Sequence, residues 1–446
     1  MLTRLISRLP ADQATRALIL STLAGSTSRG LFITVSVIFF TRSVGLSAAE
    51  VGLGLTIAAV VSLFAGVPAG HLADRIGPRG VMVTFGAARA ALMLGYLVVD
   101  GFIGFVAVAC AVQLLETGFS AANGALIAGS IPGEQRVRTR ALLRSVTNVG
   151  WAVGAVIAGV GLKFDTRTAY SVIIVVCVAI ALLASTLVLR VPPVAPQPKA
   201  ASGPALVVLR DRPYLALAAL NGVLCIHYGM LNVAVPLWVV ERTDAPTWVV
   251  AGMTLLNAIV VALFQVRASR GTATVEGAAA AQRVSGFLLL GACVLYSLAA
   301  GLPGWAAALI LFAAAGVHVL AELRQAAGSW GISFGLAPDH AQGQYQGLFG
   351  TGFSVAGVIA PALLATVVVG WGWPGWVLFG VVYAAAGAAV PVTVRWGARS
   401  RPRRAARTRA GLNAGPAGGG VAAPDSRTVR RSGSDHGSVC AASALI

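Results

Sequence analysis

Twelve apolar stretches, each about 20 residues or longer, run along the chain at roughly 16–41, 48–72, 80–99, 102–130, 141–163, 168–190, 214–240, 247–268, 283–302, 304–336, 343–370 and 373–395. A helix of that length crosses about 30 Å of hydrocarbon. None of the stretches shows the short period-two alternation of a membrane β-barrel strand. The pattern predicts an all-α membrane protein with twelve transmembrane helices. An even number of spans puts both termini on one side. Under that topology the opposite side carries only Arg42, Lys163, Arg167 and Arg242, while most of the 33 Lys and Arg residues fall on the side of the termini. Cytoplasmic loops are the ones rich in Lys and Arg. The reading is therefore a multi-pass protein of the plasma membrane with both termini in the cytoplasm.

The spacing also divides the chain. Residues 191–213, VPPVAPQPKAASGPALVVLRDRP, interrupt the apolar pattern with Pro and Ala and read as a cytoplasmic linker between six-helix halves at 1–190 and 214–395. Residues 396–446 are rich in Arg, Gly, Ser and Ala without periodicity, and read as a disordered basic cytoplasmic tail. The halves echo each other weakly but in consistent order. Arg42 and Arg242 close the first span of each, and Gly52 and Gly252 open the second. Glu116 and Glu322 sit in the fourth and tenth spans, each followed at the same interval by a proline, Pro132 or Pro338. Two pseudo-symmetric halves with a site between them is the arrangement such a repeat implies.

Composition agrees. The chain is 57% hydrophobic and 11% charged, against about a quarter charged in soluble domains, and its mean hydropathy is +0.82. A net charge of +18 invites a nucleic-acid partner. The basic residues, however, lie in short connections and the tail, where anionic lipid is the partner expected. Four of the five cysteines fall inside apolar runs, with no metal spacing and no disulfide framework. No P-loop, heme ligand set or catalytic triad appears, so neither an enzyme nor a primary pump is expected, and no cofactor or metal.

Charges inside spans carry the chemistry. A carboxylate in hydrocarbon is expensive and marks function by default, and of 15 acidic residues only Glu116 and Glu322 lie deep in apolar stretches. Arg29 lies mid-span in the first stretch and is the expected partner of Glu116. Arg89 in the third is expected to bond a neighbouring helix, and Arg324 to serve a structural or interfacial role. Polar residues recur at steps of three and four on three spans: Gln113, Glu116, Ser120 and Asn123; Asn221, Cys225, Tyr228 and Asn232; His318, Glu322, Gln325 and Ser329. That spacing places each set on one helix face. Glu116 and Glu322 are the candidate proton carriers, with His318 beside the latter because imidazole titrates in the physiological range. Arg29, Gln113, Asn123, Asn221, Tyr228, Asn232 and Gln325 are the candidate substrate contacts.

Between the second and third spans the chain reads Gly70-His71-Leu72-Ala73-Asp74-Arg75-Ile76-Gly77-Pro78-Arg79. Spacing, topology and span number resemble the signature loop of the major facilitator superfamily, G-x-L-a-D-r-x-G-r-[rk]. Pro78 departs from it, where a basic residue is usual. The resemblance covers residues 10–396 and is nearest to bacterial drug/proton antiporters. It implies that spans one, four, seven and ten line a central cavity, the four spans on which Arg29 and the polar stripes fall. It also implies a conformational gate built from Gly70, Asp74, Arg75, Gly77 and Arg79, with Asp74 stabilising the outward-facing state by contact with the eleventh helix. The fifth span keeps Gly150 and Gly154 of an exporter pattern and loses its proline. The expectation is a monomeric secondary transporter that exports a small organic molecule, a drug or secondary metabolite, coupled to protons. Proton-coupled nutrient uptake and a non-transporting sensor are the alternatives.

Overall fold

The computed structural model describes residues 12–196 and 206–413, with side chains described through residue 399. Every regular element among them is helical. The spans are α1 Gln13–Arg42, α2 Ala48–Ser62 with Gly66–Ile76, α3 Pro78–Val98, α4 Phe102–Ser130, α5 Gly133–Leu162, α6 Arg167–Val188, α7 Arg212–Arg242, α8 Trp248–Ala268, α9 Val275–Leu298, α10 Gly304–Leu336, α11 Asp339–Val369 and α12 Trp373–Arg399. Counting the two bent pieces of α2 as one span, the fold is twelve helices in two six-helix halves.

The helix ends differ from the hydropathy reading for physical reasons. The segments α5 and α9 each begin about two turns earlier than their apolar cores, at Gly133 and Val275. Hydropathy finds the edge of the hydrocarbon, whereas backbone hydrogen bonding carries the helix past it. The pieces of α2 meet at 49°. Pro68 lies in the first turn of the second piece, where its ring would clash with the carbonyl of Phe64 in a continuous helix. The final helix runs on to Asn413. Residues 396–413 of the expected tail are rich in Ala and Arg, both strong helix formers. Residues 414–446 of the expected tail lie outside the described residues, as do 197–205 of the expected linker. From Arg399 on, the described residues belong to a unit separate from the bundle and are helical.

Caps fix where α1 and α2 start. Asp12 accepts from Thr15 N at 3.0 Å and Thr15 Oγ1 at 2.9 Å. Ser47 and Glu50 exchange bonds as a capping box.

The starts of α1, α3, α7 and α11 and the ends of α6 and α12 gather at one face, here called the terminal face. Gln13 Nε2 donates to Arg190 O at 3.5 Å, Arg79 donates to Val191 O at 3.0 Å, and Tyr345 Oη donates to Asp211 Oδ2 at 2.8 Å. At this face the halves are tightly joined. Gly66 and Gly70 of α2 lie against Gly347 and Gly343 of α11 so closely that a β-carbon on any of the four would run into the opposing backbone. The carboxylate of Asp74 then caps α11 across the joint, accepting from Gly343 N at 2.7 Å and Gln344 N at 3.1 Å. Free N–H groups at a helix start and its positive end both favour an anion. His71 Nδ1 meets Gln344 Nε2 at 2.9 Å beside it. Gly77, at φ 98°, makes the turn into α3, and Pro78 takes the first position of that helix, where its missing N–H costs nothing.

Replacing Asp74 by Asn leaves the shape and removes the charge. The joint should weaken by about 2 kcal/mol, the scale of hydrogen bonds to a charged group. Cysteines placed across α2 and α11 at the terminal face should then label faster with a membrane-impermeant thiol reagent. Unchanged labelling would refute the latch.

Candidate functional site

Between the halves lies a cavity of about 350 Å³. Its walls come from α1, α4, α5, α7, α10 and α11. Of the sequence candidates, Arg29, Gln113, Glu116, Asn221, Tyr228 and Gln325 line it. A second, smaller cavity of about 160 Å³ opens within the first half, lined by Arg29, Glu116 and Asn123 together with Arg89, Thr147 and Trp151.

Glu116 sits where the two cavities meet and pairs with two arginines. Its Oε1 contacts Arg29 of α1, and its Oε2 contacts Arg89 of α3. The Arg89 guanidinium also lies over the Phe119 ring, 5.9 Å from its centroid. This cluster belongs wholly to the first half.

The second cluster joins the halves. Arg144 of α5 pairs through Nη2 with Glu322 Oε1 of α10 and donates through Nη1 to Tyr228 Oη of α7 at 3.0 Å. Asn257 of α8 donates to Glu322 Oε2 at 2.7 Å. Tyr228 Oη donates to Gln325 Oε1 at 3.2 Å. Gln325 Nε2 in turn donates to Asn221 Oδ1 at 2.9 Å, an oxygen that also accepts from Gln282 of α9 at 3.2 Å. Of the ion pairs among the described residues, Arg144–Glu322 alone crosses between the halves. Glu322 is 6% exposed and stands behind the cavity wall that Arg144, Tyr228 and Gln325 form.

Sequence reading missed Arg140 and Arg144, which it assigned to a basic cytoplasmic loop. Both line the central cavity. Arg140 has no hydrogen bond or ion pair among the described residues. The signal was present: Arg140, Arg144, Thr147 and Trp151 fall at steps of four, three and four, one face of α5. Arg89 was expected to bond a neighbouring helix, and its partner is Glu116.

Two candidates sit elsewhere. Asn232 is exposed and donates to the carbonyl of Tyr228 on its own helix at 2.9 Å. A π-helical segment, Met230–Ala234, interrupts α7 and inserts an extra residue per turn. The stripe that a regular helix would continue from Tyr228 therefore rotates away. His318 is 2% exposed and faces His227, with ring nitrogens 3.1 Å apart, and Tyr296 Oη at 3.4 Å. It lies inside the second half, away from both cavities. Among the gate residues, Gly70 and Asp74 make the joint, Gly77 turns the chain, and Arg79 pins α3 to the end of α6. Arg75 is half-buried beside them.

The sequence matches the profile of the Major Facilitator Superfamily over residues 18–361. The chain belongs to this family of transporters. Solved structures with the superfamily fold overlay it closely. A human organic anion transporter, TETRAN, is 15% identical, with TM-score 0.64, covering 85% of this chain and 99% of its own. A bacterial homologue of the iron transporter ferroportin, in an outward-facing state, is 13% identical, with TM-score 0.67, covering 87% and 100%. The E. coli fucose:proton symporter FucP is 12% identical, with TM-score 0.62, covering 86% and 98%. At these identities the likeness is one of fold. A comparison with curated protein sequences gives no match. As a superfamily member the protein is a transporter and not an enzyme.

The ion pair predicts a characteristic stability pattern. Breaking a buried pair by removing one partner costs about 3–5 kcal/mol, whereas replacing both with apolar residues is often neutral. Glu322→Ala should therefore lower the thermal midpoint of the purified protein markedly, and Arg144→Met with Glu322→Met should recover most of the loss. A double variant no more stable than the single one would refute the pairing.

Proposed function

We propose that the protein is a proton-linked secondary transporter that carries a small organic anion across the plasma membrane by alternating access. The observation that carries this is the charge of the central cavity: Arg29, Arg140 and Arg144 line it against one carboxylate, Glu116. Including Arg89 and Glu322, four guanidinium groups face two carboxylates. Positive charge in a low-dielectric interior demands a counter-ion. Arg140, without a side-chain partner, supplies a docking point for a substrate carboxylate, phosphate or sulfonate, and guanidinium binds such groups in two-point fashion. Tyr228, Trp330, Phe349 and Phe353 on the same walls suit an apolar or aromatic body.

Glu322 is the preferred proton carrier. Neutralising Glu116 would leave two arginines facing each other, whereas neutralising Glu322 frees one, and Tyr228 still holds it. A proton on Glu322 removes the charge attraction between the halves, leaves the Arg144–Tyr228 bond in place, and frees the other end of the Arg144 guanidinium for the cavity it already lines. Proton and anion then bind together rather than in competition. This linkage favours co-transport of the two, unlike the antiport expected from sequence. With the termini in the cytoplasm, the latched terminal face is the cytoplasmic one, and its closure belongs to an outward-facing state.

Flux in proteoliposomes tests the proposal. Wild type should accumulate a radiolabelled organic anion under an inward proton gradient. Glu322→Gln should still exchange anion but lose gradient-driven accumulation. Arg140→Gln should raise the half-saturating anion concentration about tenfold, one charge-assisted bond's worth. Equal preference for cationic and anionic probes would overturn the reading.

A further inference from the structure

On the outer surface of the second half, α8, α9 and α10 leave an apolar groove of about 880 Å³, larger than either polar cavity. Leu320, Phe264 and Val284 line it and are exposed. Three arginines also line it, Arg267 and Arg270 at the terminal-face end of α8, and Arg324 of α10. No acidic residue does. None of the three has an ion pair or side-chain hydrogen bond among the described residues, and all three are exposed.

Arg324 is the decisive residue. It lies twelve residues before the end of α10, about 18 Å along the axis at helical rise. A guanidinium projecting there from an apolar helix surface is costly unless it reaches toward the interface and meets an anion. The groove leads it to Arg267 and Arg270. Three like charges around one apolar trough repel each other, and a shared counter-ion stabilises them together. A free anion would satisfy the charges but leave the trough to no purpose. A molecule with a phosphate at one end and a hydrocarbon chain at the other satisfies both.

We propose that this groove is a binding site for one anionic phospholipid, its phosphate held by Arg267, Arg270 and Arg324 and an acyl chain lying between α8 and α10. The site is independent of the central cavity and of the transport reading. Because α8 also supplies Asn257 to Glu322, a lipid seated here braces the helix that supports the ion pair joining the halves.

Native mass spectrometry of the full chain, released from detergent containing equal amounts of dioleoyl phosphatidylglycerol and dioleoyl phosphatidylcholine, tests the site. Wild type should retain one phosphatidylglycerol in at least tenfold preference. Arg267→Gln, Arg270→Gln and Arg324→Gln combined should lose that preference, and Arg324→Lys should keep most of it. If the triple variant fails to fold, Arg324→Gln alone should lose most of the preference in the same assay. Inorganic phosphate at millimolar concentration should not displace the lipid. Equal retention of the two lipids by wild type, undiminished preference in the Arg324→Gln variant, or displacement by phosphate alone would each overturn the proposal.

Discussion

The fold is organised around a constraint that hydrocarbon imposes: a charge placed in it must find an opposite charge or a route to water. Most spans meet the constraint by carrying none. Apart from Arg140, which faces the cavity without a side-chain partner among the described residues, the interior charges meet it inside the protein, and how they do so divides them into two kinds. Glu116 and its arginines close their balance within the first half. Arg144 and Glu322 close theirs only while the halves are together at this depth. A rigid-body rearrangement of the halves can leave the first group intact but must rebuild the second.

Two other features hold the joint, and they work differently from the ion pair. Glycine against glycine brings the backbones of α2 and α11 together, so dispersion contact and exclusion of lipid hold them without polar bonds. Asp74 adds direction, because its carboxylate fits the start of α11 and nothing one residue along. The ion pair adds a chemical input. The steric part sets how close the halves come, the cap sets their register, and the charge pair adds an electrostatic attraction between them at the depth of the cavity.

Sequence revealed the architecture because the signals involved are long. Twenty apolar residues are hard to mistake, and the run from Gly70 to Arg79 carries its spacing openly. Individual site residues were legible where a polar side chain interrupted an apolar face, as at Glu116, Gln113 and Gln325. They were hidden where the background was itself charged. Arg140 and Arg144 continue a basic run at the edge of a span, and counting charges by side of the membrane assigns them to water. Their spacing with Thr147 and Trp151 separates them from Arg138 but not from Arg136, which lies one turn before Arg140 on the same face and bonds the carbonyl of Ile131 instead. Asn232 misled in the opposite sense: the stripe it extended was real, but a π-helical turn, which leaves no plain mark in sequence, rotated it out. His318 lay on the polar stripe of α10 but about two turns before Gln325, the first residue of that helix to line the cavity.

The contact of Gly66 and Gly70 with Gly343 and Gly347 bears on how the halves come back together after parting. Interlocked side chains must find their rotamers before two helices can seat, and each wrong fit is a trap. Bare backbone has no rotamers to search, so the surfaces can meet in any nearby alignment and slide home, with Asp74 stopping them at the right residue. A joint of this kind closes quickly and forgives a poor approach.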